Sequence, residues 1–502
     1  MRNFFLITLL FFYSNSIFSN YDMNANMQLA YSQIINLNFD DAIDILENEK
    51  IQNPNNAFII LNENYIDFLK IIIGEDKLYY ENNRINKNAR LNNLKKISDE
   101  SPYQLLIQAE IQLQWAFTRI KFKQYFLAAY ELQKAYTLLK KNEELYPDFF
   151  LNKKNLGILK ILIGSIPDEY SWILNIIGLE GNVNNGFDDL YQLLNICKNN
   201  ESYNIYKSEI LFYLSFLEMN MRNNDEYQIN LLNEIENCCY NNNLMLFCAA
   251  RLSSRLGDNE QTIKILEKRT FNKSQFDFHY LDYLYAMSKF YQQDYVTAQE
   301  YFLRYTSNFN GTNYIKSANH KLFLISLLTD SSDNVSKYRN LVLEKGDALI
   351  DEDLQALRDI KNNKKINIEL LNSRILFDGG YYQKAYSSLE KLDTDNLNDN
   401  SDFLIEYYYR KARVSQKLKR PKEIVISLFL QVLKQQDNSN LYYHPMSTLQ
   451  IAFEYEKGGN IEEAINYFNK VFNYENYNYE NGIKKSAQSG LNRLVINTSV
   501  QE

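Results

Sequence analysis

The side chains that most often carry out chemistry are few in this chain and widely separated. Its three histidines are His279, His320 and His444, and none lies in a metal-binding spacing such as HExxH. The sequence contains no GxSxG nucleophile elbow and no GxxxxGK[ST] phosphate-binding loop. We therefore predict that the protein is not an enzyme and that it binds neither a metal nor a cofactor.

Paired carboxylates and clustered glycines have simpler explanations than catalysis. Asp40-Asp41 and Glu462-Glu463 each stand at a predicted helix start, where the helix dipole favours acidic side chains. The run from Gly178 to Gly186 has the wrong spacing for a dinucleotide-binding loop, and no predicted strand precedes it. We expect a tight turn there, at which two helices approach closely.

The four cysteines are Cys197, Cys238, Cys239 and Cys248. They lack the paired CxxC spacing that is typical of a zinc site. In an oxidising compartment Cys248 would be able to pair with Cys238 or Cys239 and link one helical hairpin. Buried free thiols are the alternative, and the sequence leaves both open.

Composition and charge disfavour a nucleic-acid partner. The chain has 502 residues, of which 45% are hydrophobic and 23% are charged, with a net charge of −8. Basic residues are dispersed, apart from the run between Lys417 and Lys422, which we expect to be a solvated turn. A nucleic-acid-binding domain usually carries a clustered basic patch instead.

Helix pairs of repeated spacing are the elements that would position any binding residue. Residues 445–476 place Ala452 and Tyr455 on a first helix, Gly459 at a turn, and Ala464 and Phe468 on a second helix. A small residue permits a close helix crossing, and glycine adopts positive φ readily at a helix end. Related spacings recur along the chain, at Ala30 and Ala42, at Ala128, at Gly257, at Ala298, and at Gly380 and Ala385.

This pattern resembles the tetratricopeptide repeat, a helix-turn-helix unit of about 34 residues. The resemblance implies an all-α solenoid of antiparallel helix pairs. Such solenoids bury a continuous core by stacking each unit on its neighbours. The runner-up interpretation is a non-repetitive helical bundle.

A glycine-bearing block at 160–190 carries a second resemblance. It contains Ile166-Pro167-Asp168, Trp172-Ile173-Leu174 and the segment 177–181, followed by Gly186 and Leu190. These motifs resemble the family of tetratricopeptide-repeat-39 and inclusion-body clearance proteins, together with its exported bacterial relatives. Membership implies an all-helical adaptor and no catalytic residue.

Residues 1–19 are typical of an export signal, with Arg2 before the apolar run 4–12 and a polar segment at 14–19. We expect a soluble periplasmic or extracellular protein without stable membrane insertion. An uncleaved N-terminal anchor is the alternative. For the remainder we predict N-terminal repeats at 20–200, C-terminal repeats at 201–490 and a tail at 491–502.

Aromatic side chains give the only indication of a binding surface. Tyr407-Tyr408-Tyr409 cannot all face one core, because consecutive helical residues point about 100° apart. Tyr442-Tyr443 stand at the entry to a first helix. We predict that outward-facing members of these two runs line a groove and anchor a peptide, since tyrosine is enriched at binding hot spots; composition bias is the simpler explanation.

The function predicted from the sequence is that of a non-catalytic scaffold or adaptor in the cell envelope, with a protein or peptide as partner. The alternative is a carbohydrate- or nutrient-binding surface protein built on helical repeats.

Overall fold

The computed structural model describes residues 20–97, 100–166, 181–222, 224–236, 242–269, 274–363, 365–397, 401–436 and 441–499. Within these ranges the regular structure is helical and no strand occurs, which confirms the all-α prediction. The predicted export signal lies outside the described residues. So do Cys238, Cys239 and residues 167–180 of the glycine-bearing block.

The chain divides into two compact units. The N-terminal unit comprises Met1–Leu256, Lys264–Leu281 and Phe309–Gly311, and the C-terminal unit comprises Gly257–Ile263, Asp282–Asn308 and Thr312–Glu502. The boundary predicted between residues 200 and 201 concerns the sequence repeats and stays a prediction. No helix of the described ranges is both long enough and apolar enough to cross a membrane.

The helices up to residue 267 are mostly joined by short turns. They are α1 (Ala25–Ile35), α2 (Phe39–Gln52), α3 (Ala57–Gly74), α4 (Lys77–Asn83), α5 (Asn86–Leu94), α6 (Pro102–Lys121), α7 (Tyr125–Leu145), α8 (Asn152–Gly164), α9 (Val183–Asn199), α10 (Glu201–Asn204), α11 (Lys207–Leu217), α12 (Asp225–Glu236), α13 (Asn243–Arg255) and α14 (Asn259–Glu267). A π-helical turn, Glu218–Arg222, follows α11 directly.

The later helices continue the same arrangement. They are α15 (Tyr280–Tyr291), α16 (Tyr295–Asn308), α17 (Ile315–Leu328), α18 (Ser332–Glu344), α19 (Asp351–Lys361), α20 (Ile368–Asp378), α21 (Tyr382–Glu390), α22 (Ser401–Lys417), α23 (Lys422–Lys434), α24 (Tyr443–Lys457), α25 (Ile461–Val471) and α26 (Glu480–Ser499). Helices adjacent in sequence pack as pairs, for example α17 with α18 and α24 with α25.

A residue with positive φ recurs two or three residues before the second helix of a pair. Gly257, Gly380 and Gly459 hold this position with φ of 80°, 80° and 73°. Elsewhere the residue is not glycine, although left-handed backbone costs a side chain with a Cβ roughly 1–2 kcal/mol. These residues are Leu37, Lys123, Gln293, Asp330 and Lys419.

The unit at residues 445–476 shows how sequence forms a pair. Asn460 caps α25 by accepting a hydrogen bond from the Glu463 amide at 3.3 Å, and Ala464 and Phe468 are fully buried. Tyr455 stacks on Tyr467 of α25, with ring centroids 5.6 Å apart. The other alanines of the predicted repeats are buried as well, at positions Ala128, Ala298, Ala385 and Ala452.

Glycines let α8 and α9 approach closely in the N-terminal unit. A Cβ on Gly186 would lie 2.6 Å from the Gly157 carbonyl oxygen and 2.6 Å from Ile161 Cγ1. Real Cβ atoms do not approach backbone so closely, so a larger residue at position 186 would separate the helices. Gly186 therefore serves helix packing rather than phosphate binding.

Two turns that are distant in sequence touch within the C-terminal unit. A Cβ on Gly380 would lie only 1.9 Å from the Gly257 carbonyl oxygen. Beside them the Tyr381 hydroxyl donates to Glu260 Oε1 at 2.8 Å and accepts from Asn259 Nδ2 at 3.0 Å. The turn before α14 thus rests on the turn before α21.

Candidate binding groove

Three cavities of the C-terminal unit share walls and form one surface, which we call the C-terminal groove. Their volumes are about 480, 570 and 310 Å³. Asp359 and Glu406 line both the first and the second cavity, whereas His320 and Arg374 line both the first and the third. The groove is formed by α15, α17, α18, α19, α20, α22 and the start of α24, together with Tyr479.

Helical spacing places the groove residues on shared faces. On α17, His320 and Leu324 are four residues apart, and on α20 the same spacing joins Arg374 and Asp378. Residues three or four apart lie on one side of a helix. To the third cavity, α17 therefore presents an imidazole and an apolar side chain, whereas α20 presents two side chains of opposite charge.

Two carboxylates that line the groove, Glu406 and Asp359, accept hydrogen bonds from neighbouring side chains. Arg410 Nε donates to Glu406 Oε1 at 2.7 Å. Asp359 accepts from Gln355 Nε2 at 3.1 and 3.2 Å. Burial acts to lower the pKa of Arg410, but Glu406, Tyr443 and Tyr442 together outweigh it and the pKa of Arg410 is raised.

Lys321 differs from these charged groups in its surroundings. Its side chain is half-buried, and in the described part of the chain no carboxylate oxygen lies within 4 Å of its Nζ, which stands 5.9 Å from the centroid of the Phe290 ring. Burial lowers the pKa of Lys321 to about 8, and the positive charge of Arg374 acts in the same direction. Its ammonium group is thus partly desolvated without a close counter-charge.

The predicted binding tyrosines are divided between the groove and the core. Tyr442 and Tyr443 line the second cavity, where Tyr442 is half-buried and Tyr443 is buried. Tyr407, Tyr408 and Tyr409 line none of the three cavities. The binding role of all five residues stays a prediction.

The burial of the tyrosine run has a geometric cause. Tyr407 belongs to a core cluster with Leu389 and Val414, whereas Tyr409 belongs to another with Phe429 and Tyr443. A helix stacked between two neighbouring pairs faces two cores, so consecutive residues are able to be buried on different sides. Tyr408 is half-buried and packs against both clusters.

The three histidines lie on different elements. His320 Nε2 is 3.9 Å from Asp359 Oδ2, His444 Nε2 is 3.0 Å from the Gln435 carbonyl oxygen, and the His279 ring packs near Phe309. Within the described ranges, no group of three or more His, Cys, Asp or Glu side chains is placed to hold a metal ion.

A second cluster of charges lies in the N-terminal unit, and its members are paired with one another. Lys154 Nζ donates to both carboxylate oxygens of Glu209, at 3.0 and 2.9 Å, and lies 3.0 Å from Glu110 Oε2. The Tyr31 hydroxyl donates to Glu209 Oε2 at 2.6 Å, and the Tyr65 hydroxyl donates to Glu110 Oε1 at 2.8 Å. All five side chains are buried.

This network has little room for a ligand. The cavity beside it, lined by Tyr65, Glu110 and Lys154, has a volume of about 20 Å³, which is enough for roughly one water molecule. Burial acts to lower the pKa of Lys154, but the charges of Glu110 and Glu209 outweigh it and the pKa is raised. The network therefore holds helices together.

Sequence reasoning missed both Lys321 and the Lys154 network. The members of each cluster are far apart in the chain and look like ordinary polar residues of helices. Of the five predicted binding tyrosines, Tyr442 and Tyr443 are the two that line the groove.

Comparisons with known proteins gave a family match over part of the chain and a distant structural match. A solved structure of a monomeric IFIT1 mutant with Gppp-AAAA aligns with 90% of this chain and 96% of its own, at 12% identity and a TM-score of 0.32. No curated protein matches the chain. Residues 153–311 match the family model described as Iml2/Tetratricopeptide repeat protein 39, so the family resemblance of the glycine-bearing block is supported over that part of the chain.

Proposed function

We propose that this protein is a non-catalytic scaffold that binds a segment of a partner protein in the C-terminal groove. The observation that carries the proposal is the continuity of the three cavities. Asp359 lines the first and second, Arg374 lines the first and third, and Tyr479 lines the second and third. A row of linked cavities along successive helices suits an elongated ligand better than a compact one. Helical-repeat solenoids use such extended surfaces for binding.

The groove offers both parts of a peptide-binding surface. Tyr442 and Tyr479 supply aromatic walls to the second cavity, with ring centroids 5.5 Å apart. Arg358 stacks over Tyr479, at 4.9 Å from the ring centroid. Aromatic and arginine side chains are enriched at binding hot spots, so we expect the bound segment to be anchored at this end.

We place this role in the cell envelope because residues 1–19 have the pattern of an export signal. Fusing these residues to a reporter protein and fractionating the cells tests the location separately from binding. A reporter that remains inside the cell would contradict the envelope location and leave the groove proposal intact.

The binding proposal is tested with the purified full-length protein and an oriented library of octapeptides. Tyr442→Ala removes a groove wall, and we expect enriched peptides to bind at least tenfold more weakly, since hot-spot truncations cost about 2 kcal/mol or more. Tyr467→Ala is the matched control, because Tyr467 is also half-buried in the same unit but lines none of the three cavities. Absence of any enriched peptide, or equal loss in both variants, would overturn the proposal.

Carbohydrate binding is the second candidate, favoured by the polar lining of the second cavity. Asn362, Asn363 and Asn478 stand there beside Tyr442 and Tyr479, and amides with aromatic rings suit sugar hydroxyls and faces. A glycan array with the same two tyrosine variants separates the candidates. Selective glycan binding that is lost in Tyr442→Ala, without peptide enrichment, would replace the first proposal by the second.

A further inference from the structure

The third cavity of the groove contains unused hydrogen-bond donors on two cations. Among the described residues, Lys321 Nζ makes no hydrogen bond or ion pair, and it stands 5.9 Å from the centroid of the Phe290 ring. The closest approach of Arg374 to Asp378 is between Nε and Oδ2, at 3.6 Å. The guanidinium of Arg374 makes no hydrogen bond to a described residue, so its terminal nitrogens are able to donate to a ligand, together with the three N–H groups of Lys321.

The acidic residues near Lys321 do not use these donors. Glu352, Asp359 and Asp378 act on Lys321 only at longer range, where their charges raise its pKa against the effects of burial and Arg374. Asp359 already accepts from Gln355 at 3.1 and 3.2 Å and lies 3.9 Å from His320. Asp351, which also lines the cavity, and Glu352 are exposed in the first turn of α19.

Apolar walls make this arrangement costly in the absence of a ligand. Besides the charged groups, Phe290, Tyr291, Leu371 and Ile375 line the cavity, whose volume is about 310 Å³. A desolvated cation without a counter-charge is unfavourable, whereas a carboxylate that accepts hydrogen bonds from both lysine and arginine forms strong charge-assisted contacts. The volume is sufficient for a carboxylate with a short apolar stem.

We propose that the third cavity is a subsite for a carboxylate of the bound segment, held by Lys321 Nζ and the Arg374 guanidinium. The inference rests on the proposed function and adds the chemistry of one position of the ligand. The carboxylate comes either from an acidic side chain or from the chain terminus of the partner. A mainly neutral segment with one acidic group fits the rest of the groove, where Glu406 and Asp359 already accept hydrogen bonds from neighbouring side chains.

The test uses two oriented octapeptide libraries, one with free C-termini and one with amidated C-termini. We expect wild-type protein to enrich peptides with an acidic residue at a fixed position from both libraries if the source is a side chain. If the source is the chain terminus, we expect enrichment from the free library alone. Lys321→Gln should weaken the best acidic peptide at least tenfold and leave its Gln-substituted analogue unchanged.

Lys470→Gln is the matched control. Lys470 lies in the same unit, carries the same charge and stands 4.4 Å over the Tyr467 ring, but it lines none of the three cavities. Lys321→Arg is expected to retain the acidic preference, and thermal denaturation of each variant excludes unfolding as the cause of a loss.

The outcomes separate the two proposals. Peptides enriched without an acidic or terminal preference, or a preference that survives in Lys321→Gln, would overturn the carboxylate subsite and leave groove binding standing. A complete absence of enrichment would overturn groove binding and the subsite with it.

Discussion

Lys154 of the N-terminal unit and Lys321 of the C-terminal unit are both withdrawn from solvent, but their surroundings differ. Lys154 meets the carboxylates of Glu110 and Glu209 at about 3 Å, and its pKa is raised. Lys321 has no carboxylate within 4 Å in the described residues, and its pKa is lowered to about 8. Burial is common to both, so the presence of a partner decides the direction of the shift.

The difference distinguishes a lysine that stabilises the fold from a lysine that is placed to bind a ligand. The donors of Lys154 are all used, and its cavity holds about one water molecule, so further binding would have to break existing contacts. The donors of Lys321 make no hydrogen bond to the residues that the structure describes, and Lys321 lines a cavity large enough for a ligand group. Removing the first lysine should therefore damage the fold, whereas removing the second should damage binding.

Lys154→Met is expected to have the largest effect on stability. It leaves Glu110 and Glu209 buried without their cation, and breaking a buried ion pair typically costs about 3–5 kcal/mol. The loss is measured by urea denaturation followed through the fluorescence of Trp115, which is buried in the same unit. A loss below about 1 kcal/mol would show that the network is dispensable.

Asp353 is a buried carboxylate that shows how burial changes the pKa of an acidic group. It accepts hydrogen bonds from the Tyr314 and Ser317 amides, at 2.6 and 2.8 Å, but burial raises its pKa to about 6 from 3.8. The folded state therefore binds more protons than the unfolded state between pH 4 and 6, and Asp353 reduces stability as pH rises through that range. The change is up to about 3 kcal/mol.

Asp353→Asn tests this expectation, because the variant lacks the titrating group. We expect the variant to become more stable relative to wild type, in unfolding free energy, as pH rises from 4 to 6.5. A difference that is constant across this range would contradict the raised pKa of Asp353.

Tyr31→Phe is expected to show a smaller effect within the Lys154 network. The hydroxyl of Tyr31 donates to the Glu209 carboxylate at 2.6 Å, and a hydrogen bond to a charged group contributes about 1.5–3 kcal/mol. Tyr283→Phe is the matched control in the C-terminal unit, because its hydroxyl meets the neutral Ser317 Oγ at 2.8 Å and should cost about 1 kcal/mol. Urea denaturation of both variants gives the comparison, and an equal loss would contradict it.

Lys321→Met is expected to have the smallest effect, with no loss of stability at pH 7. Because the folded-state pKa of Lys321 lies below 10.5, the unfolded state binds more protons than the folded state between pH 8 and 10.5. Lys321 therefore makes the folded state more stable as pH rises through this window. The variant should lack that gain relative to wild type in denaturation curves from pH 7 to pH 10. Destabilisation of more than about 1 kcal/mol at pH 7 would assign Lys321 a structural role.

The repeat architecture could be predicted from the sequence because several of its turns have a glycine at the position that requires positive φ. Gly380 and Gly459 mark positions with positive φ, and sequence spacing alone located them. Lys123 and Gln293 adopt the same backbone at equivalent positions without any sequence signal, because tertiary packing imposes the conformation. Glycine therefore identifies some of the turns and leaves the others unmarked.

The candidate site was less accessible because its contacts are long-range. Lys321 and Arg374 are separated by more than a complete helix pair, and nothing local distinguishes Lys321 from an exposed lysine. The burial of the tyrosine run was inaccessible for a related reason, since Tyr407 and Tyr409 are buried in two different cores. Helical periodicity describes one face of a helix, whereas a helix inside a stack has several neighbours.

The contact between Gly257 and Gly380 restricts how this protein is able to change in length during evolution. Repeat proteins gain and lose whole units easily when each unit touches only its neighbours. Here two turns lie so close that a Cβ on Gly380 would be 1.9 Å from the Gly257 carbonyl oxygen, although α14 to α20 lie between them in the chain. A duplicated helix pair inserted between residues 263 and 380 would pull the turns apart, so duplication is better tolerated after residue 390 than within this closed segment.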